Sequence, residues 1–238
     1  MLKASRRRRS DDDDYPYYED TVTESDWHRI AIRYLELSLQ RHFEGVPDVY
    51  VSSNMFVYYE KGKRDKKVSP DVFICFGVTT QQRKSYKVWE NNGVAPFAAF
   101  EVTSESSRVS DQGSKRARYA QMGVQEYYLF DPLGEYLAGK FRAYRREGDE
   151  LLPVVSGPRF TSPGLGMAFE VEDKLLRAYD ARTGQPYATT WEIEQARHDA
   201  EQARHDAEQA RHDAEQRLNE ERRRVAELEE ELRRLRGG

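Results

Sequence analysis

Two acidic residues, Asp71 and Glu101, have the surroundings expected of a metal site. Asp71 follows Ser69-Pro70 at the start of one apolar segment, and Glu101 lies near the end of another. A carboxylate at the edge of a core is costly unless a metal ion or a cation pairs with it. Two carboxylates on neighbouring strands would offer the hard oxygen ligands that Mg²⁺ or Mn²⁺ prefers. The alternative, that each is an ordinary turn or cap residue, stays open on the sequence alone.

The segments around these acids predict an α/β domain. Residues 23–43 carry apolar side chains at helical spacing, with Ser25 or Thr23 as the N-cap. Three later segments are nearly apolar throughout, as in strands at the centre of a sheet, and they span residues 68–78, 95–104 and 124–132. This pattern favours a mixed β-sheet flanked by helices.

The connection between the last two of these strands sets their relative direction. Residues 107–123 predict a helix that ends at Gly123. A strand, a helix and a strand in succession are most simply joined as a parallel pair. Two hairpin strands near 136–145 and 150–155 follow, and an irregular region is expected from there to Pro186.

The two ends of the chain differ from this domain, which we predict to span residues 21–187. Residues 1–20 contain four arginines followed by four aspartates and predict a disordered charged arm. The arginines could contact nucleic acid, but the adjacent aspartates can neutralise them, which favours a solvated tail. Residues 188–238 form a third part with a heptad repeat.

The heptad repeat predicts a long C-terminal coiled-coil helix. The heptapeptide EQARHDA occurs three times without change, at 194–200, 201–207 and 208–214. The seam is alanine-rich at first and becomes leucine-rich after a four-residue shift, which is a stutter. Opposite charges at the flanking positions favour a parallel pair with a second copy or another helix. The alternative is a single charged helix held by local pairs. The seam positions are Ile193, Ala196, Ala200, Ala203, Ala207, Ala210, Ala214, Leu218, Val225, Leu228, Leu232 and Leu235.

Composition narrows the function classes. The formal net charge of −4 argues against a protein that coats nucleic acid through a broad basic face, but it allows a local basic patch. No apolar run approaches the roughly 18 residues of a membrane span, and the N-terminus lacks the apolar core of a signal peptide. The only cysteine, Cys75, predicts a buried hydrophobic residue. We therefore expect a soluble cytoplasmic protein without a membrane partner.

The order of short motifs resembles the core of the Uma-two family of restriction endonucleases, which is similar to the PD-(D/E)XK nuclease superfamily. The resemblance covers roughly residues 25–185 and leaves out the arm and the coiled coil. Its specificity lies in the whole series rather than in any single motif. The matching positions are Pro70-Asp71, Glu101 to Ser104, Asp111, Lys115, Tyr119, Gly123-Val124, Glu126-Tyr127 and Asp131-Pro132.

The resemblance implies a Mg²⁺- or Mn²⁺-dependent DNA endonuclease. Asp71, Glu101 and the backbone carbonyl of Val102 would be the metal ligands. The superfamily places a lysine two residues after the strand glutamate, but Thr103 occupies that position here. The resemblance therefore implies that Lys115, on the following helix, is the catalytic lysine.

Other residues could line this site. Lys115 lies four residues after Asp111, so a purely structural ion pair between them is a serious alternative. His28 matches a recurrent histidine of the family and would line the site, although a buried helix histidine is the simpler interpretation. Thr103 and Asp111 are further candidates for the lining.

Positive charge between the two acid-bearing strands could contact DNA. Arg83, Lys84 and Lys87 are interleaved with Tyr86 and Trp89 and predict a surface for phosphates and bases. A solvated loop over a partly buried aromatic pair is the alternative.

Two functions therefore follow from the sequence. The first is a metal-dependent endonuclease, and the second is an inactive nuclease-like binding module that oligomerises or recruits partners through its coiled coil. Thr103, in place of the superfamily lysine, keeps the second function open.

Overall fold

The computed structural model describes residues 25–104, 107–154 and 159–236. The chain divides into two compact units, with the division between Tyr187 and Ala188. The predicted arm of residues 1–20, with its arginine and aspartate runs, lies outside the described residues.

The first unit combines short helices with twelve described strands. The strands are β1 (Val49–Ser53), β2 (Val57–Tyr58), β3 (Lys67–Val68), β4 (Val72–Phe76), β5 (Tyr86–Lys87), β6 (Ala98–Val102), β7 (Glu126–Phe130), β8 (Phe141–Glu147), β9 (Glu150–Pro153), β10 (Arg159–Ser162), β11 (Met167–Glu172) and β12 (Leu175–Asp180). The helices are α1 (Asp26–His42), α2 (Arg108–Ser110), a π-helical turn (Asp111–Lys115) and α3 (Arg116–Met122), with a 3₁₀ turn at Val88–Glu90.

The main sheet has six strands in the order β1-β4-β6-β7-β8-β9. Only β6 and β7 run parallel, and every other neighbouring pair is antiparallel. The parallel pair is joined through α2, the π-helical turn and α3, as the strand–helix–strand order predicted. Gly123 ends α3 in the left-handed region, at φ 94°. The predicted mixed sheet flanked by helices is confirmed.

Apolar side chains cover both faces of this sheet, which is why β6 and β7 are buried throughout. One face packs against α1, whose N-terminus is capped by the Ser25 hydroxyl accepting from the His28 backbone N–H at 3.3 Å. The other face packs against α3 and a small sheet of order β3-β2-β5. Cys75 lies in this second core, and burial raises its pKa to about 12.

The region that the sequence predicted as irregular up to Pro186 is instead largely a sheet. Strands β10, β11 and β12 form a three-stranded antiparallel sheet. Buried and exposed residues alternate along its strands. In β10, Phe160 and Ser162 are buried, and the residue before each of them is exposed. The strands are short and separated by turns, so their local signal is weak, and their stability comes from packing against α1. The Tyr34 hydroxyl of α1 accepts from the Ala178 backbone N–H of β12 at 3.0 Å.

A close contact joins this second sheet to the main one. A Cβ added at Gly164 would lie 2.2 Å from Cζ of Phe97, whose ring packs against Phe76 at a centroid distance of 5.1 Å. Because that ring is held by its neighbours, we expect Gly164→Ala to lower the free energy of unfolding by about 1–3 kcal/mol. Chemical denaturation measures this change.

The matched control for this prediction is Gly113→Ala. A Cβ at Gly113 meets nothing within 4 Å, so its stability should match that of the wild type or slightly exceed it. Equal stability of Gly164→Ala and the wild type would show that the contact with Phe97 is not tight.

The second unit contains one continuous helix, α4 (Thr190–Arg236), of 47 residues. The predicted long C-terminal helix is therefore confirmed, and its leucine-rich seam residues are exposed. Pairs four residues apart run along it, such as Arg197 with Glu201 at 3.0 Å and Arg234 with Glu230 at 2.7 Å. The pairing of this helix with a partner stays a prediction.

No helix within the described residues is both long enough and apolar enough to cross a membrane. The cytoplasmic location stays a prediction of the sequence.

Candidate metal and catalytic site

Pairing of β4 with β6 brings the two predicted acids together. Val72 lies opposite Phe100 in the ladder, so extending the same register by one residue sets Asp71 opposite Glu101. Cross-strand neighbours of this kind project from the same face of a sheet. Oδ2 of Asp71 also accepts a hydrogen bond from the backbone N–H of Val102 at 2.6 Å. Asp71 is thereby tied to the strand that carries Glu101.

Glu101 is held by two side chains from the helical segment that follows its strand. It is 1% exposed. Nζ of Lys115 lies 2.8 Å from Oε2, and the hydroxyl of Tyr119 donates to Oε1 at 2.5 Å. Each carboxylate oxygen therefore has its own donor. Lys115 and Tyr119 are four residues apart, which places them on one face of the segment.

The π-helical turn contributes the second partner of Lys115. Nζ lies 2.9 Å from Oδ1 of Asp111, which is completely buried. Oδ2 of Asp111 accepts from the Ser107 hydroxyl at 2.6 Å. The ion pair predicted from the spacing is present, but Lys115 bridges Asp111 and Glu101 rather than pairing with Asp111 alone. π-Helical turns are rare in proteins, and those that exist are often found at functional sites.

The electrostatics of this cluster favour an added cation. Burial raises the pKa of Glu101 well above its usual range; the charge of Lys115 opposes that rise, and the charges of Asp71 and Asp111 add to it. Burial also raises the pKa of Asp111, again against Lys115. Burial alone would lower the pKa of Lys115, but the carboxylates of Glu101, Asp111 and Asp71 raise it overall. Three carboxyl groups thus lie near one ammonium group, and a bound cation would compete with protonation of the two buried ones.

The donors predicted from the sequence are of the chemical type that a hard divalent cation binds. Among residues 25–104, 107–154 and 159–236, no three His, Cys, Asp or Glu side chains are grouped so that they could hold a metal ion. The set predicted from the sequence has only two side chains, Asp71 and Glu101, with the carbonyl of Val102 as the third donor. All three donors are oxygen atoms, which suits Mg²⁺ or Mn²⁺.

Two further predicted residues border the cluster. His28 is 7% exposed, and its Nε2 lies 3.7 Å from Oδ1 of Asp71, beyond hydrogen-bond distance but within electrostatic reach. Thr103 is 4% exposed, and its hydroxyl has no hydrogen-bond partner in the described part of the chain. Thr103 carries no charge, and the ammonium group found in this cluster is that of Lys115.

The segment predicted to contact DNA is only partly exposed. Tyr86 and Lys87 are buried in β5, and Nζ of Lys87 lies 3.3 Å from Glu90. The Tyr86 hydroxyl donates to the carbonyl of Val94 at 2.7 Å, so neither ring nor ammonium forms a surface for phosphates and bases. The physical reason is that these residues form a strand of the small sheet rather than a loop.

Arg83 and Lys84 lie nearer to solvent than the buried strand. The guanidinium of Arg83 donates to the carbonyl of Gln81 at 2.8 Å and to Oδ1 of Asn91 at 3.0 Å. It also lies 4.5 Å from the centroid of the Tyr50 ring. Lys84 is exposed. The segment is therefore closer to the alternative, a loop over buried aromatic rings.

Sequence reasoning missed the role of one residue. Tyr119 matched the family pattern, but nothing assigned it a contact with Glu101. The available signal was its spacing of four residues from Lys115 on the same predicted helix.

Comparison with known proteins gives one family match. The model of the Uma2 family, described as "Putative restriction endonuclease", matches residues 5–174. Among solved structures, the chain is similar to "a putative nuclease belonging to DUF820" from Anabaena variabilis ATCC 29413. That similarity has 10% identity and a TM-score of 0.46, and it covers 60% of this chain and 76% of the other. No curated protein matches the chain.

Proposed function

Because the chain belongs to the Uma2 family, whose description is "Putative restriction endonuclease", we propose that it is a metal-dependent endonuclease that hydrolyses DNA phosphodiester bonds. The observation that carries this proposal is the position of Lys115, which lies 2.8 Å from Glu101 in a cluster with two further carboxylates. A lysine beside two strand-borne acids could stabilise the negative charge that develops on a phosphate during hydrolysis.

Asp71, Glu101 and the backbone carbonyl of Val102 would hold Mg²⁺ or Mn²⁺. When bound, such a cation lowers the pKa of its water ligand and stabilises charge on phosphate oxygens. The composition of the cluster supports this proposal, since the ammonium group of Lys115 interacts with the carboxyl groups of Asp71, Glu101 and Asp111 together.

Lys115 would act as a fixed positive charge rather than as a base. The surrounding carboxylates raise its pKa, so the ammonium stays protonated at neutral pH. Its position favours binding to a phosphate oxygen as negative charge develops in the transition state. Asp111, which is buried and also bonded to Ser107, would keep the ammonium in place.

DNA would approach from the exposed side of Lys115, whose side chain is 21% accessible. Arg83 and Lys84 remain proposed phosphate contacts, whereas the burial of Lys87 argues against a contact by that residue. The direct test is to incubate the purified chain with DNA and Mg²⁺ or Mn²⁺, beside a sample that contains a chelator. Cleavage only in the presence of the cation supports the proposal.

A binding module that has lost catalysis is the second candidate function, and the neutral Thr103 is the observation that favours it. The same experiment separates the two candidates, because a binding module would retain DNA without cutting it under either cation.

We also propose that α4 pairs in parallel with a second copy of the chain. Its seam residues, among them Leu228 at 53% and Leu235 at 75% exposure, are costly to leave in water. In a parallel pair, Asp199 faces Arg204 of the other copy, and Asp206 faces Arg211. In an antiparallel pair of the same segments, like charges would meet, so the pattern favours the parallel arrangement.

Leu228→Lys should convert the paired chain to a monomer, because it places two ammonium groups in the seam. Sedimentation equilibrium of the full chain should give twice 27.8 kDa for the wild type and the single-chain mass for the variant. The matched control, His205→Lys, changes an outward position and should stay paired. A wild-type chain that sediments as a monomer would contradict the pairing.

A further inference from the structure

We propose that Tyr119 is a positioning residue that fixes the Glu101 carboxylate for cation binding, an inference that rests on the proposed metal site. The hydroxyl of Tyr119 donates to Oε1 of Glu101 at 2.5 Å, while Lys115 binds Oε2. Tyr119 therefore acts through Glu101 and needs no contact with substrate.

The surroundings of Tyr119 leave it little freedom to move. The residue is completely buried. Its ring lies 5.0 Å from the ring of Tyr127, which in turn donates to the backbone carbonyl of Asp111 at 2.8 Å. The hydroxyl that reaches Glu101 is thus carried by a ring held in the core between α3 and the sheet. A donor fixed in this way limits the rotation of the carboxylate it binds.

Lys115 and Tyr119, the two donors to Glu101, differ in how readily each can break its hydrogen bond to that carboxylate. Lys115 has a second carboxylate partner in Asp111, so its ammonium can release Oε2 and keep one ion pair. The Tyr119 hydroxyl donates to Glu101 and has no second carboxylate to turn to among the described residues, and Tyr119 is the more deeply buried of the two. When Lys115 turns toward a phosphate oxygen, Tyr119 is the contact that would hold Glu101 in the orientation of a ligand.

A buried tyrosine bonded to a glutamate could also serve stability alone, and the chain offers a matched pair to separate these roles. Tyr128 is equally buried, and its hydroxyl donates to Oε2 of Glu126 at 2.6 Å, outside the acidic cluster. Phenylalanine at either position removes the same kind of hydrogen bond and keeps the ring. The two variants should therefore lose similar stability but differ in cation binding.

The experiment is a titration of the full chain with Mn²⁺, followed by electron paramagnetic resonance of the free ion. We expect Tyr119→Phe to bind Mn²⁺ about 10- to 100-fold more weakly than the wild type, as for other residues that orient a metal ligand. Tyr128→Phe should bind Mn²⁺ like the wild type. Incorporation of 4-aminophenylalanine at position 119, which restores an N–H donor, should recover most of the affinity.

A double-mutant comparison tests whether Tyr119 acts through Glu101. In a Glu101→Gln background, the added Tyr119→Phe substitution should change Mn²⁺ affinity by much less than it does alone. If Tyr119→Phe binds Mn²⁺ as tightly as the wild type, the positioning role is overturned while the metal site stands. If the wild type itself binds no Mn²⁺, the metal site and the positioning role both fail.

Discussion

Glu101→Ala is expected to lower the rate of cation-dependent DNA cleavage by at least about 100-fold, because it removes a proposed metal ligand and the orientation that this ligand would impose. The variant should also bind Mn²⁺ much more weakly. The truncation leaves Lys115 with Asp111 as its remaining ion-pair partner, so the helical segment keeps one of its two anchors. Cleavage rates at saturating DNA, with circular dichroism as a check on folding, measure the effect.

The matched control is Glu126→Gln. Glu126 is also a buried strand glutamate, 3% exposed, and it accepts hydrogen bonds from Tyr128 and Ser162 rather than from residues of the acidic cluster. Both bonds go to Oε2, so the carbonyl oxygen of the amide can still accept them, and the variant should fold and cleave DNA at close to the wild-type rate. Equal losses in Glu101→Ala and Glu126→Gln would mean that general destabilisation, not the site, causes the effect.

Lys115→Met should separate cation binding from hydrolysis. Loss of one fixed positive donor at the transition state typically lowers a rate by about 100- to 1000-fold. The affinity of the variant for Mn²⁺ should be higher than that of the wild type, because the ammonium no longer competes for Glu101 and the cluster loses a positive charge. The apo variant should be less stable, since Asp111 and Glu101 lose their shared partner.

Thermal unfolding of Lys115→Met with and without Mn²⁺ checks the stability prediction, and cleavage rates check the catalytic one. The cation should recover more stability in this variant than in the wild type. Lys140→Met is a suitable control, because the Lys140 ammonium donates to the backbone carbonyl of Asp173 at 2.8 Å, outside the cluster. A Lys115→Met variant that cleaves DNA normally would limit Lys115 to a structural ion pair.

The centre of the fold was predictable because its signals are local and strong. The apolar segments that became β4, β6 and β7 are buried almost throughout, and the helix between the last two fixed their parallel direction. Asp71 and Glu101 stood out as acids at the ends of such strands. Their opposition in the sheet followed once those strands were paired.

The errors arose where tertiary packing decides the outcome. Strands β10 to β12 are short, and their apolar residues gain a partner only when α1 covers them. Lys87 and Tyr86 resemble a basic aromatic surface in sequence, but pairing of β5 with β2 buries both. The bond from Tyr119 to Glu101 spans 18 positions, and the spacing of Tyr119 from Lys115 shows only that the two share a helix face, not that both reach Glu101.

The most direct test of the proposed function is cleavage of supercoiled DNA by the full chain and by Asp71→Asn, each with Mg²⁺ and with a chelator. Asp71 is the proposed ligand that the backbone N–H of Val102 holds, so the amide keeps the shape of the site but removes the charge that would bind the cation. We predict nicked or linear DNA only for the wild type with Mg²⁺. Cleavage by Asp71→Asn at the wild-type rate, or cleavage by the wild type in chelator, would contradict a metal-dependent nuclease at this site.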